Sequence, residues 1–198
     1  MNFQLFIFLP INPKVSYLIP EKDFFRLLHS RRSVRKFKNK PLSKEQILKL
    51  IEAGITAPSS MNKQPWNFIA VTDAEKKKKL REIYTNSRKK QNFYEQDTVF
   101  VEYATPIVLI CDNENKDFLY SCAMAVQNMN LAAVSMGLAS LQAVAATTQE
   151  DDRKAIAELF RIPKEKFVML LLFYGYPDEN PVPKPKKKVD EVLQWDSY

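Results

Sequence analysis

The sequence predicts an α+β domain, one β-sheet flanked by helices, and three observations carry that prediction. Four short runs, 66–71, 106–111, 138–145 and 167–174, are apolar over strand lengths, the first with clear β-branched and aromatic content. Three helix-length segments open on a capping-box pattern: Ser43-Lys-Glu-Gln46, Thr72-Asp-Ala-Glu75 and Thr147-Thr-Gln-Glu150. The resulting order is helix, helix, strand, helix, strand, long helix, strand, helix, strand, with no internal repeat.

Taken in order, Met1 to Leu9 is apolar and ends at Pro10, too short to span a bilayer. It has no positive residue before Lys14 and no small-residue cleavage site, so an arm packing on the domain or on a partner is expected rather than a signal peptide. Asp23 to Ser30 carries Phe24, Leu27 and Leu28 on one helical face. In the next helix Ile47, Leu48, Ile51 and Ile55 recur at helical spacing, and Pro58 ends it by pushing Ala57 out of the helical region. After the first strand, a lysine-rich helix is expected to about Thr85. The polar stretch from Ser87 to about Tyr103, with Phe93, Tyr94 and Phe100, is expected to form a mobile lid that sets substrate choice. The long helix over 116–136 is apolar nearly all the way round and should be buried on several sides, with Gly137 as its C-terminal glycine. Beyond Pro177 come Pro181, Pro183 and Pro185 with Lys184 to Lys188, which cannot lie inside a sheet and read as an extended arm. The chain therefore divides into an extension over 1–20, a domain over 21–177 and an arm over 178–198.

Composition narrows the chemistry. The 198 residues, 45% hydrophobic and 27% charged, are enough for one soluble domain with a sizeable core. Three scattered glycines, Gly54, Gly137 and Gly175, cannot build a Gly-rich phosphate loop. One histidine, His29, excludes a two-histidine metal site within one chain, and any Ser-His-Asp triad would have to use it. Cys111 and Cys122 suggest neither a metal pair nor a disulfide scaffold, which fits a reducing cytoplasm. If the chain is an enzyme, a bound cofactor is expected to supply the chemistry.

Two polar segments are the candidate site. Arg31, Arg32, Ser33 and Arg35 could bind one phosphate through forked guanidinium hydrogen bonds; a nucleic-acid patch or a solvated basic surface would use the same residues, and the net charge of +7 is consistent with each. Between a helix and a strand, Ala57-Pro-Ser-Ser-Met-Asn-Lys-Gln-Pro-Trp66 presents Pro58, Ser59, Ser60, Asn62 and Gln64, whose donors and acceptors suit the edge of a planar heterocycle, or equally a polar turn.

The pairing of Arg-Arg-Ser-x-Arg with Ala-Pro-Ser-x-x-Asn-x-Gln-Pro-Trp resembles the flavin-dependent nitroreductase family, and the resemblance runs from about Asp23 to the C-terminus. It implies a three-layer α/β/α fold with a central, mainly antiparallel sheet, and a homodimer with FMN at the interface. Arg31, Ser33 and Arg35 would then grip the phosphate and the pyrimidine side of the flavin, with Arg32 assisting, while Pro58, Ser59, Ser60 and Asn62 reach the same flavin from the other subunit. Lys184 and Lys186 match the family's alternate basic residues after Gly-Tyr-Pro and would hold the phosphate as the arm extends onto the partner. The backbone N–H toward flavin N5 would come from Leu141-Gln-Ala-Val-Ala-Ala146, at Gln142 or Ala143, where this chain lacks the glycine many members have. The implied activity is reduction of nitroaromatic, quinone or similar electron-poor small molecules by alternating half-reactions, with NADH or NADPH as hydride donor and no catalytic acid, base or nucleophile from the protein. Relatives on the same fold dehalogenate, dehydrogenate small heterocycles or fragment flavin, so those chemistries stay open, as does a non-enzymatic anion- or nucleic-acid-binding module. The flavin reading implies a cytoplasmic enzyme that engages neither nucleic acid nor membrane.

Overall fold

A computed structural model describes residues 19–92 and 97–198. The predicted N-terminal arm and the aromatics Phe93 and Tyr94 lie outside the described residues.

Helix α1 (Glu21–Ser30) leads into the arginine cluster, and α2 (Lys44–Ile55) follows a complete capping box in which Ser43 and Gln46 exchange side-chain and backbone bonds. A single 3-10 turn (Ser60–Asn62) precedes β1 (Trp66–Ala70). Next come α3 (Ala74–Lys90), a short α4 (Phe100–Tyr103), β2 (Thr105–Cys111), the long α5 (Lys116–Ser135) and β3 (Ala139–Ala143). A single-turn α6 (Ala145–Thr148), α7 (Glu150–Phe160) and β4 (Phe167–Gly175) complete the domain.

The four strands lie in the order β1-β2-β4-β3, and each neighbouring pair is antiparallel. Both central strands are buried on two faces, and their side chains alternate between two cores. Ile107, Leu109, Leu170, Leu172 and Tyr174 meet Leu50 of α2 and Cys122, Ala125 and Met129 of α5. Val108, Ile110, Leu171 and Phe173 meet Leu80 and Tyr84 of α3 and Ile156 of α7. The result is the three-layer α/β/α arrangement the resemblance implied. A register shift between Leu109 and Ile110 keeps both alternations in phase along β2 and β4.

Several local expectations change. Asp73, not Thr72, caps α3, its carboxylate accepting from the Lys76 N–H. Thr147 caps nothing, because its buried hydroxyl donates to the Val144 carbonyl; α7 starts from Gln149 without a side-chain cap. The described ends of the expected lid are packed structure: α3 runs on to Lys90 with Ser87 buried, and Phe100 stacks edge-on against Tyr84 and Phe173 at centroid distances of 5.7 and 5.1 Å. Helix α5 buries one face only, leaving Tyr120 and Met124 exposed in the single chain.

Candidate functional site

The arginine cluster is held by the two residues in it that are not polar. Val34 and Phe37 are buried, and because they are three apart in an extended segment they pin its course while Ser33, Arg35 and Lys36 stay exposed. On one side the Val34 N–H donates to the Ser140 carbonyl at 3.1 Å, with Ser33 bridging Ser140 in parallel. On the other side the Lys38 N–H donates to the Tyr176 carbonyl and the Asp178 N–H to the Lys36 carbonyl, both at 2.9 Å, around an antiparallel bridge between Phe37 and Pro177. The cluster is thereby laced between β3 and the chain leaving β4.

That lacing brings sequence-distant cations together. A cavity of about 670 Å³ is walled by Arg31, Arg32, Ser33 and Arg35 on one side and by Pro181 to Lys186 on the other, so Lys184 and Lys186 face the arginines of their own chain. Among the described residues no carboxylate lines it. Arg32 is partly committed elsewhere, since its guanidinium donates to the carbonyls of His29 and Arg31 at the end of α1. Arg31 and Arg35 carry no such tie in the described contacts. Glu179, outside both candidate segments, accepts through its carboxylate from the backbone N–H groups of Arg35 and Lys36. Its only signal was an acidic residue standing just ahead of a basic, proline-rich run.

Gln142 and Ala143 sit on β3, the edge strand beside Ser140; Gln142 is exposed and Ala143 buried. An edge strand leaves one row of backbone groups unpaired by the sheet, and here Ser140 spends its carbonyl on Val34. Just beyond, the Ala145 carbonyl is fixed by Ser87 Oγ at 2.9 Å and Gln91 Nε2 at 2.8 Å.

The polar loop is built differently. Met61, Asn62 and Gln64 have φ of 49°, 54° and 48°, the left-handed region that costs an ordinary side chain about 1–2 kcal/mol each. What holds them is a closed set of bonds: Gln64 N–H to Ser59 Oγ at 3.0 Å, Asn62 N–H to the Ser59 carbonyl at 2.9 Å, and Ser60 N–H to Ser121 Oγ of α5 at 3.3 Å. Strain kept in this way concentrates at functional sites. The loop presents Pro58, Met61, Asn62 and Gln64 to solvent, and none of them lines the cavity of its own arginines. One chain thus brings Arg31, Ser33, Arg35, Lys184 and Lys186 together and leaves Pro58 to Gln64 apart from them.

Five cations, a hydroxyl and an open volume of this size fit a phosphate-bearing planar cofactor: guanidinium forks take two phosphate oxygens at once and lysines neutralise the remainder. Among the described residues no cluster of His, Cys, Asp or Glu is suited to a metal ion, and no helix is long and apolar enough to cross a membrane.

A family model described as the nitroreductase family matches residues 28–176. A protein of Archaeoglobus fulgidus, named provisionally as an NADH dehydrogenase/NAD(P)H nitroreductase, is 30% identical over 164 residues, 80% of this chain and 87% of that one. The FMN reductase (NAD(P)H) of Bacillus subtilis is 26% identical, covering 89% of this chain and 74% of its own. Among solved structures, an FMN-dependent nitroreductase of Clostridium difficile superposes with a TM-score of 0.72 at 26% identity, over 87% of this chain and 98% of that chain.

Proposed function

The chain belongs to the nitroreductase family, and from that premise we propose that it is an NAD(P)H-dependent FMN oxidoreductase that reduces nitroaromatic, quinone or similar electron-poor small molecules. The observation that carries the reading is the single cavity shared by Arg31, Ser33, Arg35, Lys184 and Lys186. Those residues would hold the FMN phosphate and orient the ring, with Arg32 assisting. FMN, when bound, supplies hydride transfer between the nicotinamide and the acceptor. Gln142 and Ala143, on an edge strand with unpaired backbone groups, would direct an N–H toward the ring. Cations fixed nearby would stabilise negative charge on the cofactor without rearranging as it forms.

The loop from Pro58 to Gln64 completes the pocket from a second copy, making a homodimer. Support comes from its separation from its own arginine cavity and from Met61, 82% exposed on a strained turn with nothing among the described residues to cover it. The arm over 178–198 would lie on the same neighbour, for it leaves Val189, Val192 and Trp195 uncovered. Two buried free cysteines accord with a reducing, cytoplasmic setting.

The test is spectroscopic. Purified or reconstituted protein should show a flavin absorption spectrum, release FMN on denaturation and be bleached by NADH or NADPH in an anaerobic stopped-flow experiment, with electrons then passing to a nitroaromatic or a quinone. Persistent failure to take up FMN, with salt-dependent oligonucleotide binding in its place, would replace this reading with a basic binding module.

A further inference from the structure

We propose that Glu179 is a positioning residue that turns the basic arm onto the arginine cluster, so that the phosphate end of the site is assembled within one chain before any ligand arrives. The inference rests on the flavin reading and deepens it. After β4 ends at Gly175, the chain runs beside 36–38 through the Tyr176 and Asp178 bonds, and that pairing stops at Asp178. It cannot be continued by the residues that follow, because Pro181, Pro183 and Pro185 have no N–H to offer a ladder. The last tie in the described contacts is the Glu179 side chain. One of its oxygens, Oε1, accepts from two successive backbone N–H groups, those of Arg35 and Lys36, the second at 3.0 Å.

This contact sets the direction in which the arm leaves. From residue 179 a proline-rich segment rising about 3.1 Å per residue carries Lys184 some ~15 Å onward, far enough to run along the cavity wall opposite the arginines. Lys184 and Lys186 line that wall while their neighbours Pro183 and Pro185 keep the segment stiff. The same contact occupies the N–H groups of Arg35 and Lys36, so an incoming phosphate meets the guanidinium and ammonium groups rather than the backbone. Without the Glu179 oxygen the arm hinges at Asp178, and the two lysines become solvated charges at low effective concentration near the site.

The experiment compares FMN with riboflavin, which differ only in the phosphate, on the full-length chain stripped of flavin, using flavin fluorescence. The wild-type chain should prefer FMN. Glu179→Ala should lower that preference by about tenfold or more, the loss of about 1.4 kcal/mol of phosphate contact, while leaving riboflavin affinity unchanged. Glu179→Gln, which keeps an acceptor oxygen, should retain the preference. In parallel, trypsin should cut after Lys186, Lys187 or Lys188 faster in the flavin-free Glu179→Ala chain than in the wild-type or Glu179→Gln chain. The proposal is overturned by an unchanged FMN preference in Glu179→Ala, by equal losses for both flavins, by a glutamine variant as impaired as the alanine one, or by identical trypsin rates. Failure of the wild-type chain to bind either flavin would sink the functional reading instead, and the trypsin comparison would still decide whether Glu179 holds the arm.

Discussion

Replacing Gly175 by alanine drives a methyl group into the ring that anchors the arginine cluster. A Cβ built at Gly175 meets Phe37 Cδ1 at 2.9 Å and the Ala104 backbone at 3.5 Å. Phe37 cannot swing away cheaply: it is 3% exposed and its ring lies 6.4 Å from Phe100, itself stacked on Tyr84 and Phe173. Overpacking a well-filled core typically costs about 1–3 kcal/mol, while Gly→Ala restricts the unfolded chain and offsets roughly 0.4–1 kcal/mol of it. The net expectation is a loss of about 1–2 kcal/mol, which for a domain of this size lowers the Tm by about 2–8 °C. Phe37→Leu makes room, so the double variant should be more stable than the sum of the two single losses. Gly54→Ala is the control. Its Cβ also approaches to 2.9 Å, but against the unbranched Met129 side chain, and a helix interior gains about 1 kcal/mol from alanine, so the Tm should barely move. Thermal and urea unfolding of the four variants decides the matter. A Gly175→Ala protein as stable as wild type, or strict additivity with Phe37→Leu, would refute the claim that this ring is fixed.

Three further outcomes follow from buried or strained positions. Tyr174→Phe removes the hydroxyl that donates to Asn130 Oδ1 at 3.2 Å in a fully buried pair, and should cost about 1–3 kcal/mol by urea midpoint; adding Asn130→Leu should recover most of it, since no polar atom is then left unmatched. Arg161 caps α7 with φ 54°, so Arg161→Gly should raise stability by about 1 kcal/mol in the same assay. Burial pushes the Cys122 thiol well above its ordinary range, with Cys111 beside it adding to the shift. The raised pKa keeps the Cys122 thiolate scarce at pH 8 and burial shields both sulfurs, so iodoacetamide should leave Cys111 and Cys122 unmodified in the folded protein and label both in urea, as mass spectrometry would show.

What the sequence determined by itself were features settled within a few residues. The Ser43 capping box formed because its partners are three apart, and the strands appeared where apolar runs of strand length stand between turn signals. The arginine and Ala57 to Trp66 motifs are contiguous in the chain, so the family resemblance they carry needs no tertiary contact. Where a local rule failed, a contact from elsewhere had displaced it. Thr147 was drawn into the interior and bonded to Val144 instead of capping α7, and Phe100 left the expected lid for an aromatic cluster supplied by α3 and β4.

Only the tertiary structure decided which charges meet. Arg31 to Arg35 and Lys184 to Lys186 lie at opposite ends of the sequence, and neither run can draw the other close, because like charges repel. What brings them to one cavity is uncharged and remote: the pairing of β4 with β3 and β2, the burial of Val34 and Phe37 beside those strands, and the bonds that tie Lys36 and Lys38 to the chain leaving the sheet. Glu179 belongs to the same level. Its neighbours along the chain mark it only as an acidic residue ahead of a basic, proline-rich run, since its partners are backbone N–H groups more than a hundred residues away, separated by 144 and 143 positions.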